Sequence, residues 1–148
     1  INREVVGPEL VLPEGSLILA VDDSAVARSV IELGLKAMGV PFVMTKTGKE
    51  AWARLQSFFE EAQAQGLNAK DKVAVVLTDL EMPEMDGFTL TRLIKHDPRF
   101  KSIPVVIHSS LTGATNENHV KNVGADAYVA KFAPRELAAT IRRVLNAP

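Results

Sequence analysis

The stretch VVLTDLEMPEMDGFTL, Val75 to Leu90, carries an apolar run directly into a carboxylate at Asp79. Glu81 follows two residues later, then Met82-Pro83 and Asp86-Gly87. A charge driven into an apolar interior is costly unless something pairs with it. Asp79 therefore stands where a strand ends, either facing solvent or held there for chemistry. Val73 to Thr78 is apolar throughout, as expected of a strand covered on both faces. The Met-Pro and Asp-Gly pairs that follow are turn chemistry leading into a helix.

Working outward, the same pattern recurs along the chain. Ser16 to Val21 is a short apolar run ending in Asp22-Asp23, with Ser24 placed to cap a helix. In that helix Val26, Val30, Ile31, Leu35 and Met38 recur at three- to four-residue spacing, and Gly39 closes it. Val40 to Thr45 reads as a weaker strand. Gly48 to about Gln65 reads as a helix with Ala51, Trp52, Leu55, Phe58 and Phe59 on its inner face. The third helix runs from about Gly87 to His96, closed by Asp97-Pro98, and Ile103 to His108 is the fourth strand. A short helix is expected from about Thr115 to Val123, a fifth strand from Asp126 to Ala130, and a last helix from Pro134 through Leu145. Strands alternating with helices predict an α/β fold: a five-stranded parallel sheet with helices on both faces.

Composition sets the remaining bounds. The chain has 148 residues, 47% hydrophobic and 24% charged, enough for one domain with a sizeable core. Its net charge of −1 gives no general attraction to nucleic acid or an anionic membrane, and no basic cluster stands out. No apolar run approaches the roughly 18 residues that span a bilayer, so no membrane insertion is expected. The absence of cysteine excludes disulfides and thiolate metal sites and fits a reducing, cytoplasmic compartment. Residues 1–15, with two prolines and two glycines, read as a linker or leader, and residues 16–148 as the domain proper. A first residue other than Met is what a piece of a longer protein would show.

In an open parallel sheet, ligands bind beyond the carboxyl ends of the strands, where the strand order reverses. Asp22 and Asp23 end the first strand, Asp79 the third, Ser109 and Ser110 the fourth, and Lys131 follows Tyr128 on the fifth. Clustered carboxylates repel one another, and a hard divalent ion removes that penalty. A lysine and a hydroxyl beside them suit the oxygens of a phosphoryl group, with an Asp as nucleophile. His96, His108 and His119 are not at metal-ligand spacing, and His108, inside a strand, reads as core or strand-end packing.

As a set, Asp22-Asp23, Asp79 with Met82-Pro83 and Gly87, Ser109 and Lys131 make the chain resemble a CheY-like receiver domain of bacterial two-component signalling, over about Leu17 to Leu145. The resemblance implies a flavodoxin-like strand order 2-1-3-4-5. It implies that Asp79 is the phosphoacceptor, and that Asp23, Asp79 and the backbone carbonyl of Glu81 bind Mg²⁺, with Asp22 acting largely through water. Lys131 and Ser109 would contact the phosphoryl group, and Tyr128 would be the aromatic switch. Members of the family typically carry proline after Lys131, where this chain has Phe132, and Leu111 and Glu81 occupy positions that influence how fast water reaches the acyl phosphate. The Lys-Phe pair, the long loop after the second helix and the leader resemble the receiver of CheV-type chemotaxis coupling proteins. That narrower resemblance implies a CheA-like histidine kinase as partner and a link to chemoreceptor arrays through an upstream CheW-like domain.

Two other readings compete. A protein-interaction module could keep the fold without ever being phosphorylated, but it would be expected to lose one of the acids or Lys131. A haloacid dehalogenase-type hydrolase needs Asp-x-Asp at the nucleophile, and the second position here is Glu81. The receiver reading therefore predicts a signalling domain whose only catalysis is its own phosphorylation and dephosphorylation.

Overall fold

Five short apolar runs form five strands in the computed structural model, which describes residues 12–109, 123–130 and 134–146. In chain order the elements are β1 (Leu17–Val21), α1 (Ala25–Ala37), β2 (Phe42–Thr45), α2 (Gly48–Ala64), a 3₁₀ turn (Ala69–Asp71), β3 (Val73–Asp79), α3 (Gly87–His96), β4 (Val105–Ser109), β5 (Ala127–Ala130) and α4 (Pro134–Asn146). The strands pair in parallel in the order β2-β1-β3-β4-β5, as expected. Of the short helix expected at 115–123, only Val123 lies within the described residues, and it sits in a turn.

The sheet separates two cores. On one face Ile18, Ala20, Val75, Leu77 and Val106 meet Ile31 and Leu35 of α1 and Leu137 and Ile141 of α4. On the other, Leu19, Val21, Val76 and Ile107 meet Leu55 of α2, Leu90 and Ile94 of α3, and Phe100. All seven residues of β3 are buried, as its unbroken apolar run requires.

Within β3 the alternation slips once. Leu17 pairs with Val73, but Ile18 pairs with Val75, so Ala74 is an extra residue opposite β1. Ala74 and Val75 therefore both join the α1/α4 core. A one-residue slip changes the face of everything beyond it. Val76, Leu77 and Thr78 then alternate, and Asp79 falls on the α1/α4 side of the carboxyl edge.

The helices start and stop as their sequences demand. The hydroxyl of Ser24 accepts the N–H of Ala27 at 3.3 Å, that of Thr47 accepts from Glu50 at 3.0 Å, and the Asp86 carboxylate accepts from Thr89 at 2.8 Å. Past α1, Gly39 takes φ +72°, a left-handed conformation that glycine adopts without a Cβ penalty. The inner stripe of α1 holds at Ile31, Leu35 and Met38 and departs from expectation at its start. Val26 is 69% exposed, and the helix instead turns Ala27, Ile31, Gly34 and Leu35 inward, with Met38 buried at its cap. Small residues win because they let the helix approach the sheet and α4, where a Cβ on Gly34 would only just touch Leu137. Leu12, from the predicted leader, packs against the same core.

Candidate functional site

The turn after β1 is tied around Asp22. One carboxylate oxygen of this fully buried residue accepts the N–H of Ser24 at 2.8 Å, and its carbonyl accepts from the guanidinium of Arg28 at 2.9 Å. Ser24 thus serves twice, capping α1 with its hydroxyl and orienting Asp22 with its N–H. Asp23, the next residue, is exposed.

β3 delivers Asp79, also fully buried, to the neighbouring position. Its Oδ1 accepts the N–H of Glu81 at 3.3 Å, which fixes the carboxylate relative to the loop beyond it. That loop is tightly folded. Met82 is buried, Glu84 takes φ 67°, and Met85 donates to the Pro83 carbonyl at 2.7 Å. Gly87 closes it by donating to the Leu80 carbonyl at 2.9 Å. A Cβ on Gly87 would lie 2.3 Å from the Asp79 carbonyl oxygen, so no side chain fits there without moving the backbone that carries Asp79. The Asp86-Gly87 pair thus does two jobs, capping α3 and letting it begin against the end of β3.

β4 supplies a residue that the sequence reading assigned to packing. His108 pairs in register with Asp79, two residues beyond Val106 on the same face, and is buried. One donor atom each from Asp22, Asp79 and His108 lie within 4.8 Å of one another, and His108 Nδ1 is 3.8 Å from Asp22 Oδ2. The signal was present in the sequence as strand parity, but it became usable only with the register between β3 and β4. Asp23 and Glu81 are not part of this group.

Ser109 and Tyr128 belong to the opposite face. The buried Ser109 hydroxyl donates to the carboxylate of Glu81, while Tyr128 is half-buried, pairs with Ile107 and packs against the α2/α3 core. Glu81 therefore touches both parts of the site, Asp79 through its N–H and Ser109 through its side chain. Lys131, Phe132, Ser110 and Leu111 lie outside the described residues.

Two fully buried carboxylates within a few ångströms repel one another and have lost the water that would solvate them. A divalent cation offsets both penalties, and the donor set, with carboxylate oxygens from two strand ends, suits one.

Residues 18–142 match the model of the response regulator receiver domain. The chain belongs to this family. Among its relatives, the receiver is 29% identical over 129 residues to chemotaxis protein CheV3 of Helicobacter pylori, covering 87% of this chain and 40% of that protein. It is 32% identical over 131 residues to chemotaxis protein CheY1 of the same species, covering 87% of this chain and 96% of that one. The chain thus spans less than half the length of its CheV relative. Among solved structures it resembles the receiver domain of the histidine kinase CKI1 from Arabidopsis thaliana, solved with Mg²⁺ and BeF₃⁻. The TM-score is 0.77 at 28% identity, over 99% of this chain and 95% of that one. The fold is therefore the flavodoxin-like α/β fold of CheY-like receivers. No helix among the described residues is long and apolar enough to cross a membrane.

Proposed function

We propose that this receiver is a phosphorylatable switch of chemotaxis signalling, with Asp79 as the acceptor of a phosphoryl group from a CheA-like histidine kinase. The observation that carries the reading is the placement of Asp79, fully buried at the carboxyl end of β3 beside Asp22, with one oxygen held by the Glu81 N–H. A carboxylate oxygen of Asp79 attacks phosphorus, the P–N bond of the kinase phosphohistidine breaks, and the imidazole nitrogen keeps the bonding pair. In the return step water attacks phosphorus, releasing inorganic phosphate and restoring the carboxylate. No other catalysis is assigned to the chain.

Asp23, Asp79 and the Glu81 carbonyl would hold Mg²⁺, with Asp22 acting through water. When bound, the ion supplies the positive charge that offsets the carboxylates and the phosphoryl oxygens. Ser24 and Arg28 keep Asp22 aimed at that position. Lys131, at its position in the family pattern, would contact the phosphoryl oxygens. The Ser109 hydroxyl, now donating to Glu81, would turn to the phosphoryl group, and Tyr128, on the same face, would change its burial in response. Phosphorylation shifts this equilibrium only to the extent that it binds one arrangement better than the other.

We place the receiver in the cytoplasm, coupled to a chemoreceptor array through an upstream CheW-like domain, and the likeness to the chemotaxis protein CheV3 supports the chemotaxis part of that reading. Intact-mass measurement after incubation with acetyl phosphate tests the core of the reading. Wild type should gain one phosphoryl group only with Mg²⁺, and Asp79→Asn should gain none while keeping its circular dichroism spectrum. Labelling of Asp79→Asn at the wild-type level would move the acceptor elsewhere. No labelling of either protein would leave a binding module that keeps the receiver fold.

A further inference from the structure

Trp52 and Phe59 stand seven residues apart on one face of α2, about 10 Å along its axis. Both rings meet the buried Phe100 edge-on, and both remain half-buried. Trp52 lines a groove of about 450 Å³ with Arg92, Leu93 and His96 of α3 and Pro98 beyond it. Phe59 lines a second, of about 500 Å³, with Lys70, Arg99 and the same Pro98, so the two meet there. Leu93 is 38% exposed, which adds to the apolar floor. Solvent-facing apolar surface with a polar border is the composition of a protein-binding site. The border here is cationic. Among the described residues Lys70, Arg92 and His96 have no salt-bridge partner. The two carboxylates in the lining are committed, Asp97 to the side chain of Arg99 and Asp71 to the N–H of Asn68.

From this arrangement we infer that the groove between α2 and α3 docks an acidic amphipathic helix of a partner protein. Its apolar side chains would lie over Trp52 and Phe59, and its carboxylates would meet Arg92 and Lys70. A helix laid along α2 presents anchors at i and i+7 with the spacing of the two rings. Acidic residues flanking those anchors supply the charge that the border lacks, and a basic helix would meet repulsion there. The groove shares no residue with the phosphoryl site, so the inference stands apart from the receiver reading and does not depend on the labelling of Asp79.

Trp52 is the only tryptophan in the chain, so its fluorescence reads the groove directly. The probe is a synthetic amphipathic helix of leucine and glutamate, and the control carries lysine in place of every glutamate. The glutamate peptide should shift Trp52 emission saturably and bind about 10-fold or more tighter than the lysine peptide, a preference that added salt reduces. Arg92→Glu should weaken the glutamate peptide by about 10-fold, and Leu93→Ser should weaken it by about 5-fold. Both positions are exposed, where substitution leaves the fold in place. The wild-type preference between the two peptides decides the question even if a variant fails to fold. No saturable shift up to about 1 mM glutamate peptide overturns the inference. So does equal binding of the two peptides, or binding indifferent to Arg92→Glu. Trp52 emission that shifts with protein concentration alone, and is insensitive to peptide, would give the groove to a second copy of the chain and overturn it as well.

Discussion

The two edges of the sheet are built to opposite rules. At the amino edge, where α3 hands over to β4, polar groups close on one another. Lys95 Nζ lies 2.8 Å from Asp126 and donates to the Ile103 carbonyl at 2.9 Å, while Asp126 accepts the Val105 N–H at 2.8 Å. Beside them Arg99 is held by Asp97 and lies over the rings of Phe59 and Phe100. At the carboxyl edge the chain buries Asp22, Asp79, His108 and Ser109 together. The first arrangement brings opposite charges together, whereas the second brings two carboxylates together, and like charges repel one another. Removing a carboxylate at the carboxyl edge should therefore differ in sign from disrupting the amino edge.

The largest effect belongs to the amino edge. Phe100 is fully buried and meets Trp52 and Phe59 edge-on, with centroids 5.4 and 6.1 Å away. Phe100→Ala should destabilise the protein by about 3–5 kcal/mol in urea unfolding, while the folded fraction still labels at Asp79. Next comes Gly87→Ala. An added Cβ would lie 2.3 Å from the Asp79 carbonyl oxygen, and the shift needed to relieve that contact should cost about 1–3 kcal/mol. Because the backbone that shifts carries Asp79, labelling should slow as well, which Phe100→Ala should not cause. Equal labelling rates in the two variants would dissolve the distinction between the edges. The opposite sign is expected for Asp79→Asn, which removes one of two buried carboxylates and should raise metal-free stability by about 1 kcal/mol. Mg²⁺ should then raise the melting temperature of wild type and not of the variant. A variant less stable than wild type without metal would mean that the carboxyl edge is not opposed to folding.

How much of this could be read from the sequence follows from which interactions are local. Strand ends were legible because apolar runs stop at acids, and the helix caps at Ser24 and Asp86 because capping needs only neighbours within three residues. The elements that join Asp22 to Asp79 followed from the βα alternation. The inner face of α1 was legible at Ile31, Leu35 and Met38 but not at its start, where Val26 continues the apolar spacing yet is exposed, because Ala27 and Gly34 let the helix approach closely on a slightly rotated face. The extra residue at Ala74 was illegible for a related reason, since a bulge shows only against its partner strand. His108 needed both the parity of β4 and its register with Asp79, a relation across 29 positions that no local pattern encodes. The Glu81 carboxylate on Ser109 joins the same two strand ends and was hidden in the same way.

The smallest effect tests whether the charge at the amino edge adds to its packing. Arg99 holds the Asp97 carboxyl below its ordinary range, chiefly through its side-chain hydrogen bond, with burial pulling the other way. A carboxyl lowered in the folded state stabilises the protein above its unfolded-state value near 3.9, and that contribution is lost as pH falls through the lower folded value. Solvent reaches both partners and screens the pair, so Asp97→Asn should cost less than about 1 kcal/mol at pH 7. The gap between wild type and variant should hold from about pH 5 upward and begin to narrow below about pH 4, measured by urea unfolding across the acid range. A gap that does not narrow at all as pH falls from about 5 would place the contribution in the packing of Arg99 over Phe59 and Phe100, with its guanidinium positioned as well by an asparagine as by a carboxylate. The Arg99 corner of the amino edge would then owe its stability to aromatic burial, which leaves the Lys95–Asp126 pair as the charge contribution at that edge.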